Sequence, residues 1–129
     1  MGVLDAVHNG EHVGCEHLLR AMRRCKPRLH CFGHIHEGWG AQKVQWKEGE
    51  ELDVMKPGYH IKSAKAVEVD DQQMRDERAV HVDISHDGDH LIEFGRETLM
   101  VNASIMSLTY KPVQGPWLVD IDLETASVP

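Results

Sequence analysis

The chain has 129 residues, 41% hydrophobic and 27% charged, a balance that suits one folded domain and leaves too little for two. No apolar run approaches the roughly 20 residues of a membrane-crossing helix, and the opening MGVLDAVHNG lacks the basic start and apolar centre of a secretory signal. No membrane partner is expected, and a cytoplasmic setting is. The formal net charge of -7 argues against a nucleic-acid backbone as main partner, because phosphate binding draws on clustered Lys and Arg.

Met1 to Gly10 carries no periodic pattern and reads as a connection. Cys15, Leu18, Leu19, Met22 and Cys25 then fall at helical spacing, with Glu16 early and Arg20, Arg23, Arg24 and Lys26 late, as the helix dipole favours; Pro27 ends the helix. The basic end reads as a solvated helix terminus rather than a phosphate patch. Arg28 to Gly33 reads as a short strand with Cys31 in the core. It delivers Gly33-His34-Ile35-His36 at its C-terminal end, where open α/β sheets build their sites. In an extended segment side chains alternate, so His34 and His36 are expected on one side, with Ile35 turned towards a core. Neutral imidazole suits zinc, iron, manganese and copper, and the preceding glycine permits a sharp turn. Two ligands do not hold a metal, so other residues must complete any such site. Ala41 to Trp46 reads as the strand that leaves the loop.

From Lys47 the composition changes. Fourteen of the 21 acids but only 7 of the 14 bases lie between Lys47 and Glu97, so this stretch carries the whole charge imbalance. It reads as an exposed acidic insertion, residues 47–97, too polar to form a core alone. Within it, Ala79 to Ile84 alternates weakly, and Asp87-Gly88-Asp89 is a natural turn before Leu91, Ile92 and Phe94, together suggesting a surface hairpin. Gly88-Asp89-His90 reads as turn chemistry rather than as a metal motif. Thr98 to Ser104 suits a buried strand. After Gly115-Pro116, the residues Trp117, Val119, Ile121 and Leu123 alternate with Leu118, Asp120 and Asp122, a half-buried strand whose acids face outwards. Three cysteines without a Cys-x-x-Cys pattern point to reduced thiols, and most of the ten histidines sit in polar, solvated sequence.

Taken in order, GHIHEGWG after a helix containing HVGCEHLL, then VNASIM and YKPVQGPWLVDIDL, resemble the C-terminal part of a calcineurin-like metallophosphoesterase, most of all the class III phosphodiesterase branch. The resemblance spans Gly2 to Trp46 and Thr98 to Leu123, leaving the acidic stretch outside it. It implies an α/β fold: a four-layer α/β/β/α sandwich of which residues 1–129 form the C-terminal part, with the first half missing. It further implies a hydrolase acting on a phosphoester substrate through two divalent metal ions, manganese, iron or zinc, with His34 binding the second metal and His36 the first. The family's Asp-x-His and Gly-Asn-His motifs, and a Gly-Asp ahead of the histidine pair, are absent. The chain is therefore expected to be incomplete or inactive alone, with a protein partner or oligomer covering an exposed sheet. Asn102 falls within the resemblance, although a side chain bonding nearby backbone at a strand end is an equally good reading. Two other readings stay open. One is a non-catalytic, protein-binding remnant; the other is a small zinc module joining His34 and His36 to Cys31, His30 or Cys25.

Overall fold

The computed structural model describes residues 2–49 and 60–126. In chain order the elements are α1 (Glu16–Cys25), β1 (Leu29–Phe32), β2 (Gly40–Trp46), β3 (Ile61–Ala66), α2 (Asp71–Glu77), β4 (Val80–Asp83), β5 (Glu97–Asn102) and β6 (Trp117–Asp120). Four strands form one sheet in the order β1-β5-β2-β3, and β4 and β6 pair separately. The fold is α/β.

β5 lies at the centre because its side chains are apolar in both directions. Met100 points towards α1, where it joins Val3, Leu19, Met22, Val44 and Trp46 in one core. Leu99 and Val101 point the opposite way, into a second core with Ala41, Val67, Val82, Ile84 and Ile92, closed by partly buried Trp117, Val119 and Ile121. The period of two along β5 and β2 thus sorts the residues into a helix-facing and a sheet-facing layer. α1 covers one face of the large sheet, and the β4–β6 pair covers the other.

The α1 stripe is narrower than its spacing suggests. Leu19, Met22 and Arg23 are buried, whereas Cys15, Leu18 and Cys25 are exposed. Lys26 ends the helix in the left-handed region at φ 45° and donates its amide to the Met22 carbonyl at 2.6 Å, directly before Pro27. The basic end is not simply solvated. Arg23 is 3% exposed, and its guanidinium donates to the Lys47 carbonyl from two nitrogens, at 2.9 and 3.1 Å.

Cys31 departs from its expected burial. β1 is an outer strand, parallel to β5 on one side only, and Cys31 is exposed there. The expected surface hairpin is replaced by a longer-range arrangement. β4 pairs in parallel with β6, Val80 opposite Trp117 and Asp83 opposite Asp120, while residues 85–90 turn back, with the Gly88 amide on the Ser85 carbonyl. Residues 50–59, part of the acidic stretch, lie outside the described residues. Elsewhere in that stretch β3 adds an antiparallel strand to β2, and Val67, Met74, Val80, Val82, Ile84 and Ile92 are buried. Asp70 caps α2 by accepting from the Gln72 and Gln73 amides at 2.8 and 2.9 Å, so this short helix starts where its sequence can satisfy it. No helix of the described residues is long and apolar enough to cross a membrane.

Candidate metal centre

The histidine loop leaves the large sheet where β1 and β5 end together. Phe32 is opposite Asn102, Asn102 is opposite Gly40 at the start of β2, and residues 33–39 bridge the gap. The loop is not a continuation of the strand. His34 takes a left-handed φ of 76°, Ile35 returns to extended geometry at φ -81°, and His36–Gly38 make a single 3-10 turn. Strand alternation therefore does not extend through the two histidines, and the period-two argument for their shared side fails at His34. A left-handed conformation is uncommon for a side chain with a Cβ, and histidine is among the residues enriched there.

Asn102 is the anchor. Its carboxamide nitrogen donates to the Ile35 carbonyl at 2.8 Å and to the Leu4 carbonyl at 3.0 Å, and its oxygen accepts from the Ser104 amide at 3.1 Å. The residue is fully buried, and its bonds go to backbone, as the local reading of a strand-end asparagine expects. Gly38 is required by the same junction, since a Cβ there would stand 2.1 Å from the Leu4 carbonyl oxygen. The segment before α1 is itself ordered by Asp5. This buried carboxylate accepts from the Gly2 and Gly14 amides, both at 2.9 Å, and shares a hydrogen bond with His12 Nδ1 at 2.7 Å. Burial alone would raise the Asp5 carboxyl, but hydrogen bonding, with His12 and the Gly2 amide among the donors, outweighs it and lowers the pKa.

His36 has the more defined environment of the pair. Its Nδ1 lies 3.3 Å from the Ser107 carbonyl, and the Tyr110 ring meets it edge-on at 5.6 Å. A carbonyl can only accept, so in this contact Nδ1 carries a proton, and in the neutral ring the lone pair then lies on Nε2. His34 is exposed and makes no hydrogen bond or ion pair among the described residues. Beside the loop, the Ser104 hydroxyl is buried without a partner and lies 3.5 Å from where a Gly33 side chain would begin. By donor type, two imidazoles suit a divalent cation. Among the described residues, however, no group of three or more His, Cys, Asp or Glu side chains assembles a complete cage. Cys25, Cys31 and His30 do not gather round the pair, so the compact zinc module is not formed.

Trp39 ties the loop to β6. Its indole donates to the Gly115 carbonyl at 3.0 Å and packs 5.2 Å from the Trp117 ring. The loop between β5 and β6 exposes Ile105, Leu108, Tyr110 and Val113, with Tyr110 74% exposed beside His36.

A second cluster of chemistry-bearing residues lies on the outer face of the β4–β6 pair. His81 Nε2 meets Asp120 at 2.7 Å, and His86 lies between Asp122 at 3.1 Å and Asp87 at 2.9 Å. Hydrogen bonding to Asp122 and the Asp87 charge raise the His86 pKa; the His86 amide and ring lower that of Asp122; the Ser85 hydroxyl and amide lower that of Asp83. Asp120 and Asp122 do face outwards, as expected. Their histidine partners were the missing part, and only the parallel β4–β6 register reveals them. Gly88-Asp89-His90 is a turn, with the His90 amide on the Asp83 carbonyl at 3.0 Å.

No family model and no solved structure matches this chain. A stretch of 41 residues is 46% identical to UPF0046 protein T07D4.2 of Caenorhabditis elegans, covering 31% of this chain and 10% of that protein. A stretch of 42 residues is 55% identical to metallophosphoesterase domain-containing protein 1 of Homo sapiens, and equally to that of Mus musculus, covering 31% of this chain and 13% of each relative. The match thus takes in about a tenth of the length of these curated relatives. Over 31% of its own length, this chain is similar to metallophosphoesterase domain-containing proteins.

Proposed function

We propose that this chain carries the closing part of a dinuclear metallophosphoesterase centre, the C-terminal part of a four-layer α/β/β/α sandwich, with His34 and His36 as two of its ligands. The observation that carries the reading is the His36 contact: the Ser107 carbonyl at 3.3 Å takes Nδ1 as donor, the arrangement in which a neutral ring offers Nε2 to a cation. Two divalent ions, manganese, iron or zinc, supply an activated water and offset charge on the leaving oxygen of a phosphoester when bound. The residues of this chain contribute placement. The paired ends of β1 and β5 hold the loop, Asn102 pins Ile35 between the two imidazoles, and Tyr110 limits rotation of the His36 ring. Neither imidazole is free to act as nucleophile or proton donor while it ligates. The remaining ligands, in this reading, come from outside residues 1–129, and the acidic 47–97 stretch is an insertion relative to the family. A cytoplasmic setting and a phosphoester substrate belong to the same proposal.

A second reading, a non-catalytic module that binds another protein or a second copy, is favoured by β1. This outer strand, Leu-His-Cys-Phe, has neither the lysine nor the proline that usually blunts a sheet edge, and its free side can accept a further strand.

The test is manganese binding by titration calorimetry for the chain, His34→Ala and His36→Ala, with turnover of a chromogenic phosphodiester measured alongside. Each substitution is expected to weaken binding about tenfold or more, by analogy with lost ligand-shell contacts. Equal affinity in all three proteins overturns the ligand assignment. Turnover that is metal-dependent and lost in His36→Ala separates the enzyme from the binding module.

A further inference from the structure

At the end of the large sheet away from the histidine loop, basic side chains converge from four separate elements. The register places Gly40 opposite Asn102 beside the loop and Gln45 opposite Glu97 at the far end, about 17 Å away at 3.4 Å per residue. There, Arg23, Arg24 and Lys26 of the α1 terminus face Lys47 and Glu48, which follow β2, across a cavity of about 610 Å³. An adjoining hollow of about 360 Å³ shares Lys47 and Glu48 and adds Lys62 of β3 and Arg96, just ahead of β5.

The helix dipole accounts for Arg24 and Lys26 at a C-terminus. It does not account for Arg23. That guanidinium is 3% exposed, its described partners are the Lys47 and Gly49 carbonyls, and its Nη1 is buried without a hydrogen bond. Carbonyls orient a cation without cancelling its charge, and no carboxylate among the described residues pairs with it. Nor does the dipole place Lys62 and Arg96, which arrive from other parts of the sheet. Arg24, Lys26 and Lys62 have no ion-pair partner among the described residues, and Glu48, the one carboxylate among the described residues lining the cavities, meets Arg96 at 3.3 Å, with Glu93 on the other side of that guanidinium at 3.2 Å. Among the described residues lining the two hollows, Arg23, Arg24, Lys26, Lys47, Lys62 and Arg96 stand against Glu48, on a chain of net charge -7.

We propose that this cavity is a binding site for a small multivalent anion of the oligophosphate class, separate from the histidine loop. The arginine forks suit phosphate oxygens, with Arg23 held in place as a fixed charge and Arg24, Lys26 and Lys62 free to close over the ligand. The concave shape and the overall negative charge select a compact ligand over a long polyanion, which would also meet the acidic remainder of the surface.

The test is titration of inorganic pyrophosphate into the metal-free chain, the double variant Arg24→Ala/Lys26→Ala, and His36→Ala. The double variant removes exposed charges, so the fold is expected to persist, as far-UV circular dichroism will show. Saturable binding by the chain, weakened tenfold or more in the double variant and unchanged in His36→Ala, is the expected result. Raising the salt concentration should weaken it further. Absence of saturable binding, unchanged affinity in the double variant, or loss in His36→Ala overturns the proposal. So does a single-stranded oligonucleotide that binds more tightly than pyrophosphate. Because the titration uses no added metal, failure of the metal-centre reading leaves this result intact.

Discussion

The Asn102 carboxamide nitrogen donates to the Ile35 carbonyl at 2.8 Å, so the last residue of β5 holds the residue that separates the two loop histidines. The same nitrogen reaches Leu4, and the side-chain oxygen takes the Ser104 amide, so three segments meet at one buried side chain. Asn102→Ala would strand these groups away from water, at a cost of about 1–3 kcal/mol for each buried group left unpaired. A loss of roughly 3 kcal/mol in urea denaturation, together with weaker manganese binding, is the expected outcome. An unchanged unfolding midpoint would remove Asn102 from this role.

Gly38→Ala probes the same junction sterically. The added Cβ would approach the Leu4 carbonyl oxygen to 2.1 Å and the Asn102 nitrogen to 2.9 Å, and backbone cannot swing aside as a side chain can. Destabilisation of about 2 kcal/mol or more is expected from a clash of this kind. Thermal unfolding gives the magnitude; a variant as stable as the parent would mean that residues 2–14 shift freely.

The His86–Asp122 pair makes stability depend on pH in a defined direction. The folded-state pKa of His86 is raised above its ordinary 6.5, so its contribution is fully present below that value and is lost as pH rises through the raised pKa. Asp122 and Asp83 are lowered from 3.8, so theirs is present above that value and lost as pH falls through the lowered pKa. These groups together favour the fold most between about pH 4 and 6.5. Urea midpoints measured from pH 5 to 8 should fall on the alkaline side, and His86→Ala should flatten that fall. An equally steep profile in the variant would assign the pH dependence elsewhere. Each of these side chains is solvated, so the effect is expected to be small.

Arg78 ends α2 at φ 57° and is exposed, with no hydrogen bond or ion pair among the described residues. Arg78→Gly removes the left-handed strain without removing a described hydrogen bond or ion pair. A gain of about 0.5–1 kcal/mol, seen as a higher melting temperature, is expected. A loss would show that the arginine stem packs usefully on the surface.

The parts of the fold that could be read from sequence are those with one strong periodic face. α1, β2 and β5 each present buried residues, β6 presents partly buried Trp117 and Val119 in alternation, and β5 is apolar on both faces, as a central strand requires. β3 could not be read so, because from Lys62 to Ala66 its residues are exposed and no alternation marks an edge strand of that kind. α2 buries only Met74, whose sulfur accepts the Gly115 amide at 3.3 Å, so its amphipathic signal rests on one residue. The β4–β6 pairing joins residues 37 positions apart in parallel, and local sequence does not carry such information. At the candidate centre, glycine and histidine spacing located the loop. It did not report the left-handed His34, at φ 76°, since histidine adopts that conformation only uncommonly and no turn residue marks the position.

The Trp39–Trp117 pair gives the histidine loop an optical signature. The rings lie 5.2 Å apart with their planes inclined by 36°, one on the loop side of the molecule and the other on β6. Indoles so close and tilted exchange excitation, which produces a paired positive and negative band in circular dichroism and makes their emission sensitive to separation. Occupation of the loop, or its loosening, is thus written into the absorption and fluorescence of the chain itself, without an attached dye.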